Sequence, residues 1–207
     1  MRLMQWFHRA WRIIRWPLGI LVVLYIGIVI FSIPHALEKI KTEETVARIH
    51  SQKLTIENMN GEHLPPPPDP AQVDATVEGI DANQNGIRDD VELAIFEKYP
   101  NDAKIRAAEL QYAMTEQMYL TEVFNEETWK AVAEQSSRAS TCITLNYSRA
   151  DLKAFLRITD ARTKEVESLV FNTQSRKGAQ DKAYKFTTSF GTAPGQSCDV
   201  DLNVLLD

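Results

Sequence analysis

Apolar residues change their spacing several times along the chain, and each change marks a region. From Pro17 to Ile33 the run PLGILVVLYIGIVIFSI carries no charge, and with Trp16 and the stretch Pro34 to Leu37 it reaches about 20 residues, the length that spans a bilayer as a helix. ALEKIKTEETVARIHSQ then sets Leu37, Ile40, Val46 and Ile49 at helical intervals among charges, which extends the span as a stalk helix. KLTIENMNGEHL alternates briefly and reaches Asn60-Gly61, a turn pair that predicts a short hairpin. LPPPPDP reads as a stiff extended spacer, because consecutive prolines fix the backbone angle and remove donors.

From Val91 the period is helical. Val91, Ala94 and Ile95 share a face behind acidic residues, and that helix stops at Tyr99-Pro100. A second helix opens at an Asn101 cap and buries a stripe including Ile105, Ala108, Tyr112 and Tyr119. A third restarts after Asn125 with Trp129, Val132, Ala133 and Ser136 at helical spacing. SRAD, Ser148 to Asp151, has capping-box spacing before Leu152, Phe155 and Leu156. A last segment sets Val166, Leu169, Val170 and Thr173 on one face and continues through Tyr184 and Phe186, weakened at Gly178. The tail GTAPGQSCDVDLNVLLD reads as coil. Four or five helices with short links predict a small all-α bundle, and its aromatic and methionine stripes are those of ordinary core packing.

Charge gives the span a direction. Residues 1–16 carry Arg2, Arg9, Arg12 and Arg15 and no acidic residue, so the positive-inside rule puts the amino terminus in the cytoplasm and the rest of the chain outside. Trp6, Phe7, Trp11 and Trp16 suit the headgroup layer, where an indole is half wet and half buried. Signal peptides have apolar cores of roughly 7–15 residues before a small-residue cleavage site. This core is longer, and IPHA puts Pro34 where a small residue belongs, which favours an uncleaved anchor over a signal peptide. The expected organisation is a cytoplasmic flank (1–16), a membrane signal-anchor helix (17–36), a stalk and proline-rich spacer (37–70) and a helical domain (71–207). The expected location is a cytoplasmic (inner) membrane, crossed once, with the carboxyl-terminal domain periplasmic or extracellular. The whole chain is formally −5; with the four anchor arginines set aside, 19 basic residues face 28 acidic ones, a formal −9. Such a surface repels phosphate backbones and argues against nucleic acid as a partner.

The stretch EGIDANQNGIRDDVELAIF alternates acidic and amide side chains around one glycine and then turns apolar. Counted from Asp81, it sets Asp81, Asn83, Asn85, Gly86, Ile87, Asp89 and Glu92 at positions 1, 3, 5, 6, 7, 9 and 12, a full match to D-x-[DN]-x-[DN]-G-x₅-E. Calcium takes about 6 to 8 hard oxygen ligands. Alternate side chains point inward as the chain curls, the Ile87 carbonyl adds one oxygen, and Glu92 at the start of a helix can supply two. Gly86 allows a turn that a β-carbon resists. The predicted ligands are therefore Asp81, Asn83, Asn85, Ile87, Asp89 and Glu92, and the cofactor Ca²⁺. A simpler reading of the same residues is an Asx-rich turn that caps the helix.

This loop resembles an EF-hand calcium loop, and its NGIRDD core is also similar to the single calcium repeats of thrombospondin type 3 modules. Beyond it, the order of proline-rich spacer, DATVEGIDANQNGIRDDVE, helices and EVESLVFNTQSR looks like a group of uncharacterised bacterial exported, membrane-anchored proteins, a resemblance that covers most of the chain after about Asn60 and brings no activity with it. Two departures from the EF-hand pattern matter. Position 8, where paired EF-hands place an aliphatic residue against a partner loop, is Arg88, and no helix enters from PPPPDPAQVDATVEGI. The loop is then EF-hand-like but solitary, and neutral Asn83 and Asn85 lower its charge, so the expected affinity is that of extracellular modules, on the order of 10⁻⁴–10⁻³ M.

Cys142 and Cys198 are the only cysteines. Outside the cytoplasm disulfides persist. A bridge between them would close more than fifty residues, pin the tail to the helices and stabilise by about 4 kcal/mol; two unrelated thiols are the alternative. Neither has a histidine or second cysteine at zinc-ligand spacing. The histidines His8, His35, His50 and His63 are scattered, and the zinc-protease, nucleophile-elbow, P-loop and dinucleotide motifs are missing. The leading expectation is a non-enzymatic binding or structural role in the cell envelope, through an unidentified protein partner. The alternative is a calcium-dependent envelope hydrolase using carboxylates such as Asp89, Asp90 and Glu92.

Overall fold

The computed structural model describes residues 2–191 and 195–205, with side chains described for residue 16 and from residue 18 onward. The side chains of Arg2, Arg9, Arg12, Arg15, Trp6, Phe7 and Trp11 lie outside the described residues, as do residues 192–194 and 206–207 of the tail. The fold is mainly α, with no strand among the described residues. The chain divides into two compact units, Met1–Glu44 and Thr45–Asp207.

The first unit is helical throughout its described length and belongs to α1 (Arg2–Ser51). Every side chain from Leu18 to Lys41 is exposed, including a continuous series of Leu, Ile, Val, Tyr and Phe. A helix apolar on all sides is one made for a membrane or a core, and this one is long and apolar enough to cross a bilayer.

The second unit is built on α4 (Asp89–Lys98), α5 (Ala103–Thr121), α6 (Glu126–Leu145), α7 (Leu152–Val170) and α8 (Gln174–Ala183). Helix α5 is its axis and packs against all four of the others. The predicted stripe of Ile105, Ala108, Tyr112 and Tyr119 covers only part of what α5 buries: it is enclosed nearly all round, with Arg106, Glu109, Gln111, Thr115, Glu116 and Gln117 buried beside the alanines. Four neighbours leave one helix no wet face. The polar side chains are inside because they find partners: Ser136 of α6 donates to Glu116 (2.7 Å), and Tyr112 donates to Glu167 of α7 (2.8 Å).

Several boundaries differ from the sequence pattern, each for a local reason. The hairpin predicted at Asn60-Gly61 is instead a capped helical turn, α2 (Ile56–Asn60), in which Thr55 and Asn58 form a reciprocal capping box and Gly61, at φ +77°, ends the turn in the left-handed region. Within the stretch read as stalk and spacer, Ile49, Leu54 and Met59 enter the core, so the second compact unit already begins at Thr45. Asp69 and Pro70 start a single turn, α3 (Pro70–Val73). Asp102, not Asn101, caps α5, and Asp151 alone caps α7, while the Ser148 hydroxyl accepts from Ala150. Of the apolar residues after that cap, Phe155 is buried and Leu152 and Leu156 are exposed. The last segment breaks at Phe171, because the Thr173 hydroxyl caps α8 instead of continuing α7; Gly178 sits inside α8 without breaking it.

Cys142 of α6 and Cys198 are joined in a disulfide. Around the bridge the tail is tied in by polar bonds: Asp199 accepts from Arg138 and from the Leu54 amide (3.0 Å), and its own amide donates to Gln111 (2.8 Å). The part of the tail read as coil contains one 3-10 turn, Leu202–Val204.

Candidate metal centre

The residues that sequence spacing groups together converge in space. Gln84 (φ +56°) and Gly86 (φ +87°) take left-handed backbone angles, curling residues 81–88 back on themselves. At Gly86 the left-handed backbone angle favours glycine, and the end of the flexible Gln52 side chain lies against it. Asp81 stabilises the curl by accepting from the amides of Asn85 (3.1 Å) and Gly86 (2.8 Å), and Asn85 Oδ1 accepts from the Ile87 amide (2.8 Å). Ile87 buries its side chain in the core. Helix α4 begins at Asp89, which puts Glu92 on its first turn, 1% exposed. There Glu92 Oε2 accepts from Asn83 Nδ2 (3.0 Å) and Oε1 from Asn85 Nδ2 (2.9 Å). Positions 1, 3, 5 and 12 are thus held around one loop. Position 9 is turned differently: Asp89 Oδ1 accepts from Ala82 (2.9 Å) and closes the start of the helix.

The electrostatics of this group are unbalanced. Burial pushes the Glu92 carboxyl up to about 7, reinforced by repulsion from Asp81 and Asp89 and opposed by the two asparagine amides. Burial also raises Asp81 and Asp89. The nearest basic side chain in sequence, Arg88, does not relieve them: its guanidinium is turned to Asp90 and to two carbonyls of α7. Among the described residues no three His, Cys, Asp or Glu side chains form a ready-made metal cluster, and the N–H groups of the Asn83 and Asn85 amides face Glu92. Turning each amide about its last torsion would present oxygen where nitrogen now stands, at the cost of the bond that Asn85 Oδ1 accepts from the Ile87 amide and the one that Asn83 Nδ2 donates to the His63 carbonyl. The donor set is otherwise all hard oxygen, the chemistry that suits calcium. The Asn83 amide also donates to the His63 carbonyl (2.9 Å), which brings one oxygen from outside the twelve-residue loop close to the group.

What spacing did not reveal is how the loop is held. Arg88, 1% exposed, donates to Leu169 O (2.8 Å) and Val170 O (3.1 Å), the last carbonyls of α7, where a helix end favours positive charge. Position 8 therefore docks on a helix terminus instead of on a second loop. Arg176 of α8, fully buried, holds the preceding segment by donating to Val73 O (2.6 Å), Val77 O (3.0 Å), Asp74 (2.6 Å) and Asn172 (2.7 Å). Gly79 lies where a β-carbon would strike the Arg88 stem. For Arg88 the only sequence signal is a lone arginine in an acidic stretch; Arg176, beside Lys177, gives none. The remaining hydrolase candidates are likewise engaged, Asp90 with Arg88 and Asp89 with Ala82. Comparison of the chain with family models, with curated proteins and with solved structures finds no match.

Proposed function

We propose that this protein is a single-pass membrane protein whose carboxyl-terminal unit, outside the cytoplasm, binds calcium at Asp81, Asn83, Asn85, Ile87, Asp89 and Glu92 and acts as a non-enzymatic binding or structural module of the cell envelope. The observation that carries the reading is the convergence of Asp81, Asn83, Asn85 and Glu92 on one left-handed loop at the start of α4, with mutually repelling carboxylates and the neighbouring Arg88 guanidinium turned away from them. A divalent cation would offset that repulsion and let Asp81 and Glu92 ionise together. In this reading the loop is EF-hand-like and solitary, and calcium stiffens the fold without opening a groove between paired hands. The apolar helix from Leu18 and the arginines before it support an uncleaved anchor in the cytoplasmic membrane with the amino terminus inside. The hydrolase alternative has less support, since Asp90 is engaged by the Arg88 guanidinium.

Two measurements on the full chain in detergent micelles test this. Calcium at 100 times its dissociation constant stabilises by about 2.7 kcal/mol, a rise of several degrees in melting temperature. That rise should vanish in Asp81→Asn and Glu92→Gln, and an unchanged melting temperature in wild type removes calcium from the reading. The intact mass of the protein from the membrane fraction should include residues 1–36; a mature form beginning near Leu37 would replace the anchor by a signal peptide.

A further inference from the structure

The first two turns of α7 turn leucines to solvent. Phe155 is buried there, but Leu152 and Leu156, one turn apart on a common face, are 63% and 56% exposed. A single exposed leucine is ordinary; these two are bordered by Arg149, Lys153 and Arg157, all exposed. Lys153 and Arg157 repeat the four-residue interval one position on, so a basic stripe runs alongside the apolar one. Neither is paired with a carboxylate among the described residues, and the Arg149 guanidinium lies 5.4 Å from the centre of the Phe155 ring. The two acidic residues of the stretch are engaged locally: Asp151 accepts from the Ala154 amide (3.0 Å) and caps α7, and Asp160 pairs with Lys164 (2.9 Å). Residues 149–164 hold five basic residues against two acidic ones, in a chain whose residues 17–207 hold 19 against 28. Exposed apolar and positive surface are thus brought together on one helix of an otherwise acidic unit.

We propose that the first half of α7 docks on an anionic lipid bilayer, with Leu152 and Leu156 at the boundary between headgroups and acyl chains and Arg149, Lys153 and Arg157 at the lipid phosphates. Charge complementarity carries the choice of occupant: the stripe is positive where the rest of the unit is negative, so an anionic surface is drawn to this face and repelled by the others. Lysine and arginine stems lie along apolar surface while their heads stay in the polar layer, the arrangement of helices that rest in an interface. Lasting attachment takes two signals, and a basic patch supplies one of them. The other is in α1, which is long and apolar enough to cross a bilayer. A tether makes docking an intramolecular step, so two leucines and three cations suffice for it, whereas a free protein partner needs roughly 800 Å² on each side. The inference rests on the membrane anchor of the function proposed above and is independent of calcium.

The test uses the full chain reconstituted in vesicles of phosphatidylcholine, alone or with about 30% phosphatidylglycerol to give the surface a negative potential. An Ala150→Cys variant carries an environment-sensitive fluorophore beside the patch, on the one free thiol of the chain, because Cys142 and Cys198 are bonded to each other. In anionic vesicles its emission should shift to the blue and be quenched by lipids that bear a nitroxide near the headgroup, and in phosphatidylcholine it should do neither. The same label at Glu127→Cys, exposed at the start of α6, should not respond to anionic lipid. Lys153→Gln and Arg157→Gln should each lower the ratio of docked to free label about fivefold, and Leu152→Ser with Leu156→Ser should abolish docking; all four side chains are exposed, so the melting temperature should stay at the wild-type value. Salt at 1 M, which shortens the screening length to about 3 Å, should weaken docking as well. Equal quenching in both lipids, quenching in neither, or variants that quench like wild type would overturn the proposal. A blue shift that lipid quenchers do not reach, and that grows with the ratio of protein to lipid, would also overturn it and assign the face to a second copy of the chain. Vesicle flotation separates docking from the anchor: chain that floats with both lipids but is not quenched sinks docking alone, and chain that floats only with anionic lipid sinks the anchor alone.

Discussion

The second unit holds two neighbouring regions by opposite means. Between α5 and α6, Leu110, Ala113, Met114, Val132, Ala139 and Ile143 are buried in one core, with the disulfide and Asp199 sealing the tail over it. Residues 73–92 contribute few apolar side chains, and what fixes them is a pair of buried guanidinium groups: Arg176 gathers Val73, Asp74 and Val77, and Arg88 fastens the loop to the end of α7. Apolar burial is non-directional and tolerates small shifts, whereas charge-assisted hydrogen bonds are geometric and fail together when one partner goes. Although Ile87 and Val91 join the same core, the contrast predicts that the candidate ion loop can be loosened without unfolding the bundle, and the bundle weakened without disturbing the loop.

The largest expected effect breaks the bundle side. Replacing Cys142 and Cys198 by serine frees a closure of 56 residues and should lower stability by up to about 4 kcal/mol in the chain-entropy account, read by chemical denaturation. Amide exchange should speed up at residues 196–205 while residues 73–92 keep their protection and the calcium-dependent rise in melting temperature persists. Loss of that rise would mean the two regions are one. The converse change, Arg176→Met, leaves Val73 O, Val77 O and Asn172 without their donor and should cost about 3 kcal/mol, less than for a fully enclosed ion pair because the Asp74 side chain is more than half exposed. Here the loss of protection should be confined to residues 73–92, and calcium should bind more weakly. Uniform loss of protection across α5 and α6 would contradict separate anchoring.

The same contrast explains what the sequence made legible. Period and caps expose the helices, and Asn125 opens α6 with the reciprocal Thr128 cap, because those bonds are local and span three residues. The membrane-length run and the local convergence of Asp81, Asn83, Asn85 and Glu92 are legible for the same reason. The enclosure of α5 was not: its polar residues suggest a wet face, and only tertiary partners such as Ser136 and Glu167 make burial tolerable. Nor were the arginine clamps, whose backbone carbonyl partners lie 81 to 103 residues away in sequence. The hairpin was misread because Asn60-Gly61 suits a helix end as well as a turn, and the reciprocal Thr55–Asn58 pair decides between them.

The smallest expected effect sharpens the comparison by proton. Burial raises Glu92 in the loop to about 7, and in the bundle it raises Glu116 to about 7 and Glu109 to about 8, all from an ordinary glutamate value of 4.5. A carboxyl raised by folding holds a proton that the unfolded chain releases, so its contribution is complete below pH 4.5 and is lost as pH rises through 7 to 8. In chelator the protein should therefore lose stability between pH 5 and 8. Glu92→Gln should remove roughly 2 kcal/mol of that loss, and Glu116→Gln should remove a separate share. Calcium acts on one share only, because the ion competes with protons at Glu92 and not at Glu109 or Glu116: in wild type its stabilisation should grow as pH rises toward 8. If Glu92→Gln leaves the pH dependence untouched while Glu116→Gln flattens it, the proton-sensitive burial lies in the bundle alone and the loop carries no stored carboxylate repulsion for an ion to relieve.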